Sequence, residues 1–87
     1  MNVFIPTDPQ KIPNTGKVFA HTCIDQTTGA KKYIVVKHGR VIDQLTTPPN
    51  PDDLKAGGFY ADVANTTDFR TVENFLTNSG LTLEVAQ

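Results

Sequence analysis

The β-branched and aromatic residues of this chain fall in short runs separated by turn formers. Val18–Asp25, Lys31–Lys37 and Arg40–Leu45 are three such runs, and they predict three strands joined as two consecutive hairpins. Gln26-Thr27-Thr28-Gly29 supplies the first turn, with a glycine available for positive φ. His38-Gly39 supplies the second as a two-residue loop. Farther along, Phe59, Ala61 and Val63 alternate with Tyr60 and Asp62, which predicts a fourth strand over Phe59–Val63. Phe69, Val72, Phe75 and Leu76 then recur at helical spacing. Capping oxygens from Asn65, Thr66, Thr67 and Asp68 precede them, and Gly80 follows as a stop. Leu81–Val85 alternates again and closes the chain as a half-buried strand.

The order β-β-β-β-α-β predicts an α+β fold: a mostly antiparallel sheet of four to six short strands with one amphipathic helix on one face. The strand-helix-strand piece at the end is compatible with a right-handed parallel crossover. Between Thr46 and Gly58 lies a long connection holding Pro48, Pro49 and Pro51. Its Pro51-Asp52-Asp53-Leu54 reads as one helical turn, with proline early and acids near the N-terminus. Pro6, Pro9 and Pro13 make residues 1–16 an extended arm, with Val3–Ile5 able to lie along a sheet edge. Residues 17–87 then form one small domain. No internal repeat or low-complexity segment interrupts it.

Composition narrows the classes without naming one. At 87 residues there is room for one domain with a small core. Hydrophobic residues at 38% and charged residues at 20% exclude a disordered or fibrous chain. A net charge of −1 excludes a protein that is basic over its whole surface. Cys23 is the single cysteine, which excludes a disulfide scaffold and fits a reducing cytoplasm. No apolar run approaches the length of a membrane span. Val3-Phe4-Ile5 stops at Pro6 and lacks a basic flank, so the start does not read as a secretory signal. Asn65-Thr66-Thr67 matches a glycosylation sequon and reads here as turn and cap.

Charge is segregated along the chain. Residues 31–40 carry Lys31, Lys32, Lys37 and Arg40 with no acid, a local charge of +4. Residues 41–87 carry Lys55 and Arg70 against Asp43, Asp52, Asp53, Asp62, Asp68, Glu73 and Glu84, a charge of −5. The two-residue turn places Lys37 opposite Arg40, a mildly destabilising pair of like charges. A hairpin that keeps such a pair either blunts its own edge against aggregation or meets an acidic surface.

Candidate chemistry is sparse. His21, Cys23 and Asp25 share one side of the first strand, but they lie about 6.5–7 Å apart and match no structural zinc spacing. A buried Cys23 beside a surface His21 is the plain expectation. Asp52-Asp53 beside Pro51 reads as turn chemistry, and Gly57-Gly58 lacks the Lys-Ser/Thr of a phosphate loop. Asn14-Thr15-Gly16-Lys17 likewise reads as a turn. No nucleophile elbow is present. The sequence therefore points to no enzyme, no cofactor and no metal. It points to a non-enzymatic binding module acting on a protein partner through Lys31, Lys32, Tyr33, Lys37, His38 and Arg40. Small chains of this kind often serve phages and mobile elements as accessory or inhibitory proteins. The same charge dipole permits self-pairing into a homo-oligomer. The alternative is single-stranded nucleic-acid binding, with Tyr33, Phe59 and Tyr60 as stacking platforms beside the basic hairpin.

Overall fold

The computed structural model describes residues 18–63 and 69–84. Three strands, β1 (Val18–Asp25), β2 (Lys31–Lys37) and β3 (Arg40–Leu45), form the two expected hairpins with the expected bounds. β4 (Leu81–Leu83) completes a four-stranded sheet of order β3-β2-β1-β4. Every pairing is antiparallel, including β1 with β4, so the last strand returns beside the first and no parallel crossover forms. Two helices were legible as such. α1 (Pro51–Leu54) is the single turn in the long connection, and α2 (Val72–Ser79) crosses the sheet. The proline-rich arm, the capping run Asn65–Asp68 and Val85 lie outside the described residues.

The hairpin turns explain the register. His38 (φ 54°) and Gly39 (φ 75°) both take positive φ, the pattern of a type I′ turn whose twist suits the strands it joins. That turn sets Lys37 opposite Arg40. At the other end, Asp25 Oδ1 accepts from the main-chain N–H of Thr27 (2.8 Å) and Thr28 (3.1 Å), folding the loop back toward β2. These bonds to the ionised form, with the nearby Lys32 ammonium, hold the Asp25 carboxyl below the usual carboxylate range.

Both faces of the sheet are covered. On one face Cys23, Ile34, Val36 and Val41 pack with Phe75 of α2 and Leu81, flanked by Val72, Leu76 and Leu83. On the other, Val35 and Ile42 pack with Tyr60 and Phe69, flanked by Val18, Leu45, Leu54 and Val63. β2 is thus central and buried on both sides, which is why Ile34-Val35-Val36 runs unbroken instead of alternating. A bulge between Val35 and Val36 shifts the β2–β3 register by one, so that Val36 faces Val41 while Val35 faces Asp43.

Two expectations fail. Phe59–Val63 forms no strand; Tyr60–Asp62 winds into a 3-10 turn whose buried residue is Tyr60. Phe69 is not the first residue of the helical stripe. It precedes the N-cap Thr71 and packs on the face opposite α2. Val72, Phe75 and Leu76 alone make the stripe, and Gly80 ends it at φ 65°, its N–H bonded to Leu76 O.

Candidate functional site

The residues of the basic hairpin do not form one surface. Lys37 is fully buried. Its Nζ donates to the carbonyls of Tyr60 (3.2 Å), Ala61 (2.8 Å) and Val63 (2.7 Å) at the C-terminal end of the 3-10 turn. Burial pulls its pKa down, and the nearby Asp62 charge opposes that shift. Arg40 is half-buried and donates from Nη1 to Phe69 O at 2.6 Å. The like charges that register sets opposite each other are therefore turned onto main-chain carbonyls of two different segments. The expectation that Lys37 serves as a partner-binding residue is overturned, because its ammonium is buried on three carbonyl acceptors.

The other four keep some surface, spread from the start of β2 to the turn beyond it. Lys31 lies 3.7 Å from Glu84 and Lys32 lies 3.6 Å from Asp25, both near the first turn. The Lys31–Glu84 pair is exposed and contributes little to stability, whereas Lys32 and Asp25 are half-buried. Tyr33 is half-buried in mid-strand, across from Thr22 and Leu45. His38 is exposed at the far tip. Seven residues of strand, about 20 Å, separate Lys31 from that tip.

The strand alternation contains the signal that places Lys37 inside. Tyr33, Val35 and Lys37 share one face, and Val35 is fully buried there. Asp43 follows the same logic beside Val35. It is fully buried, accepting from Tyr60 Oη at 2.6 Å and from the N–H of Gln44 at 2.8 Å. Burial raises the Asp43 pKa, and these two bonds partly offset the rise. Tyr60 is pushed well above the ordinary phenol range by burial and by its bond to Asp43.

The remaining candidates resolve simply. Cys23 is buried, His21 is exposed, and burial pushes the thiol pKa up, away from reactivity. Among the described residues, no group of three His, Cys, Asp or Glu side chains is arranged to hold a metal ion. Asp52 and Asp53 stand in the first turn of α1, where Asn50 Oδ1 accepts from Asp52 N at 2.9 Å and Lys55 lies 3.4 Å from Asp52. Gly57 takes φ 81° and Gly58 N bonds Lys55 O, so both glycines serve a turn. No helix among the described residues is long and apolar enough to cross a membrane.

One feature escaped the sequence reading. Phe19, the second residue of β1, is 55% exposed, the largest exposure of a bulky hydrophobic residue among those described, with Phe59 next at 43%. It lies on the helix side of the sheet beside exposed His21 and opposite Val36. Among the described residues β4 reaches along β1 only to Glu84, whose N–H bonds Thr22 O at 2.8 Å. On the side away from β2, no described strand lies beside Val18–His21. This stretch carries no charge, whereas exposed edges usually carry lysine or proline.

No family model, no curated protein and no solved structure matches this chain.

Proposed function

We propose that the chain is a small non-catalytic binding module that acts on a protein partner. Its anchor is Phe19, with His21 beside it and Lys31 and Lys32 at the charged margin of β2. The observation that carries this reading is the exposure of Phe19 on the uncharged Val18–His21 stretch of an otherwise well-covered sheet. An aromatic side chain held rigidly by a strand supplies large contact area at low entropic cost, as interface anchors do. The buried ionisable groups support a non-catalytic role, because Lys37, Asp43 and Tyr60 are spent on fastening the fold. Of the hairpin residues, Lys32 shares the face of Phe19, Lys31 and Tyr33 lie on the other face and His38 at the tip, while Lys37 and Arg40 hold the chain together from within.

A photocrosslinking residue in place of Phe19, compared with one in place of exposed Thr77 on α2, tests this in lysate of the native source. The expected result is a discrete polypeptide adduct at position 19 that excess unmodified protein abolishes and Phe19→Asp protein does not. Equal adducts at both positions overturn the reading. So does filter retention of oligonucleotides at about 50 mM salt, with the log-log salt slope of about −1.4 expected for two single-strand phosphates met by Lys31 and Lys32.

A further inference from the structure

We propose that residues 46–63 form a strap that undocks from the sheet as a unit, with Lys37 as its latch. The strap satisfies its own main chain: Asp53 N bonds Asn50 O, Gly58 N bonds Lys55 O, Asp62 N bonds Phe59 O, and Val63 N bonds Tyr60 O. Among the described residues, no main-chain hydrogen bond joins it to a strand. Its α1 buries no residue. Its polar attachments gather on two sheet side chains: the Lys37 ammonium on three strap carbonyls, and Asp43 on the Tyr60 hydroxyl. Both side chains are 0% exposed.

This geometry gives the strap a stability of its own. The sheet is held by main-chain ladders and by the packing of α2 on one face, and those contacts survive when the strap lifts. Lifting the strap costs the apolar contacts of Tyr60, Leu54 and Val63. It also returns an ammonium and a carboxylate to water, and rehydration of two buried ions offsets much of what is lost. The three Lys37 bonds act together, because all three acceptors lie within residues 60–63 on the same short segment. A partly lifted strap would leave the ammonium buried without its acceptors, so the opening is all-or-none.

Native-state hydrogen exchange on the full chain, at fixed pH across low denaturant concentrations, tests this. The amides of Asp53, Gly58, Asp62 and Val63 are expected to share one opening, at least about tenfold more frequent than that of the β1–β2 ladder and with a smaller denaturant dependence. Lys37→Met is expected to speed strap and ladder exchange by the same factor, since its three bonds to residues 60–63 exist only with the strap docked. Leu76→Ala, on the helix side, is expected to speed the ladder and leave the strap unchanged. If Lys37→Met does not fold, Tyr60→Phe takes its place with the same expectation. The proposal is overturned if strap and ladder amides exchange together in the unmodified protein. It is equally overturned if Leu76→Ala speeds the strap, or if the latch variant leaves strap exchange unchanged.

Discussion

The Tyr60 hydroxyl donates to Asp43 Oδ2 at 2.6 Å, and both residues are fully buried on the face of the sheet opposite α2. A tyrosine from the connection thus satisfies a carboxylate that β3 carries into the core. Tyr60→Phe keeps the ring and removes the donor. Asp43 is left with the Gln44 N–H, and a loss of about 1.5–3 kcal/mol is expected in urea unfolding, the range for a hydrogen bond to a charged group. Tyr60→Ala also empties the ring's volume and is expected to cost about 3–5 kcal/mol.

The same pair sets a pH dependence. Burial raises the Asp43 pKa above its unfolded value, so the native state holds a proton that the unfolded state has released. Between the ordinary carboxylate range and the raised value, the Asp43 contribution to stability therefore falls as pH rises. Tyr60→Phe removes a bond that favours the ionised carboxylate, so the upper limit of this window moves to higher pH. Urea midpoints measured from pH 4 to pH 7 check it: relative to the unmodified protein, the decline toward pH 7 is expected to be steeper and to extend further in the variant. Equal slopes would remove Tyr60 from control of that titration.

Local pattern made the sheet readable and hid what lies on it. The bounds of β1, β2 and β3 follow from runs of β-branched residues between turn formers, and those residues do form the strands. The alternation of Phe59–Val63 suits a strand as well, yet five residues are too few to separate a strand from a 3-10 turn. What decides between them is remote in sequence: Asp43 takes the Tyr60 hydroxyl and Lys37 takes the carbonyls that the turn leaves open. Phe69 shows the same limit. Its spacing from Val72 fits a helical stripe, but the helix begins after Thr71 and Phe69 packs across the sheet. The docking residues were half legible: charge picked out the hairpin, but the alternation of Tyr33, Val35 and Lys37 already placed one lysine on a buried face. The exposure of Phe19 has no local signal, because it depends on where α2 and β4 end.

The β2–β3 turn is improvable. His38 occupies a positive-φ position (54°) that asparagine adopts with less strain, and its side chain is exposed. His38→Asn gives the Asn-Gly pair preferred in type I′ turns and is expected to raise stability by about 0.5 kcal/mol. Gly39→Ala, at φ 75°, is expected to lower it by about 1–2 kcal/mol. Thermal midpoints of the two variants moving in opposite directions check the turn type.

Cys23 offers a probe that leaves the fold untouched. Its side chain is fully buried among Ile34, Val36 and Leu81, and burial raises its pKa. Thiol labelling of the native protein is expected to be slow at pH 6.5 and to accelerate with denaturant in step with loss of the sheet. Fast labelling in buffer would mean that α2 leaves this face accessible, contrary to the packing of Phe75 against it.

Gly58 and Gly57 are neighbours that should respond differently to alanine. A Cβ on Gly58 would run into the backbone carbonyls of Asp52 and Asp53, the latter at 2.8 Å, so the turn after α1 must open to admit it. A Cβ on Gly57 meets open space, and only its φ of 81° resists substitution. Gly57→Ala is expected to cost about 1–2 kcal/mol through backbone strain alone, with an unchanged m value. Gly58→Ala is expected to cost about 1–3 kcal/mol from overpacking, concentrated in the strap. Where that cost exceeds the strap's own docking free energy, the strap is already lifted before the main transition. The sheet then unfolds from a state that has less surface left to expose, and the urea m value drops along with the midpoint. A Gly58→Ala protein with an unchanged m value and a lowered midpoint would show that strap and sheet unfold as one unit even under this strain.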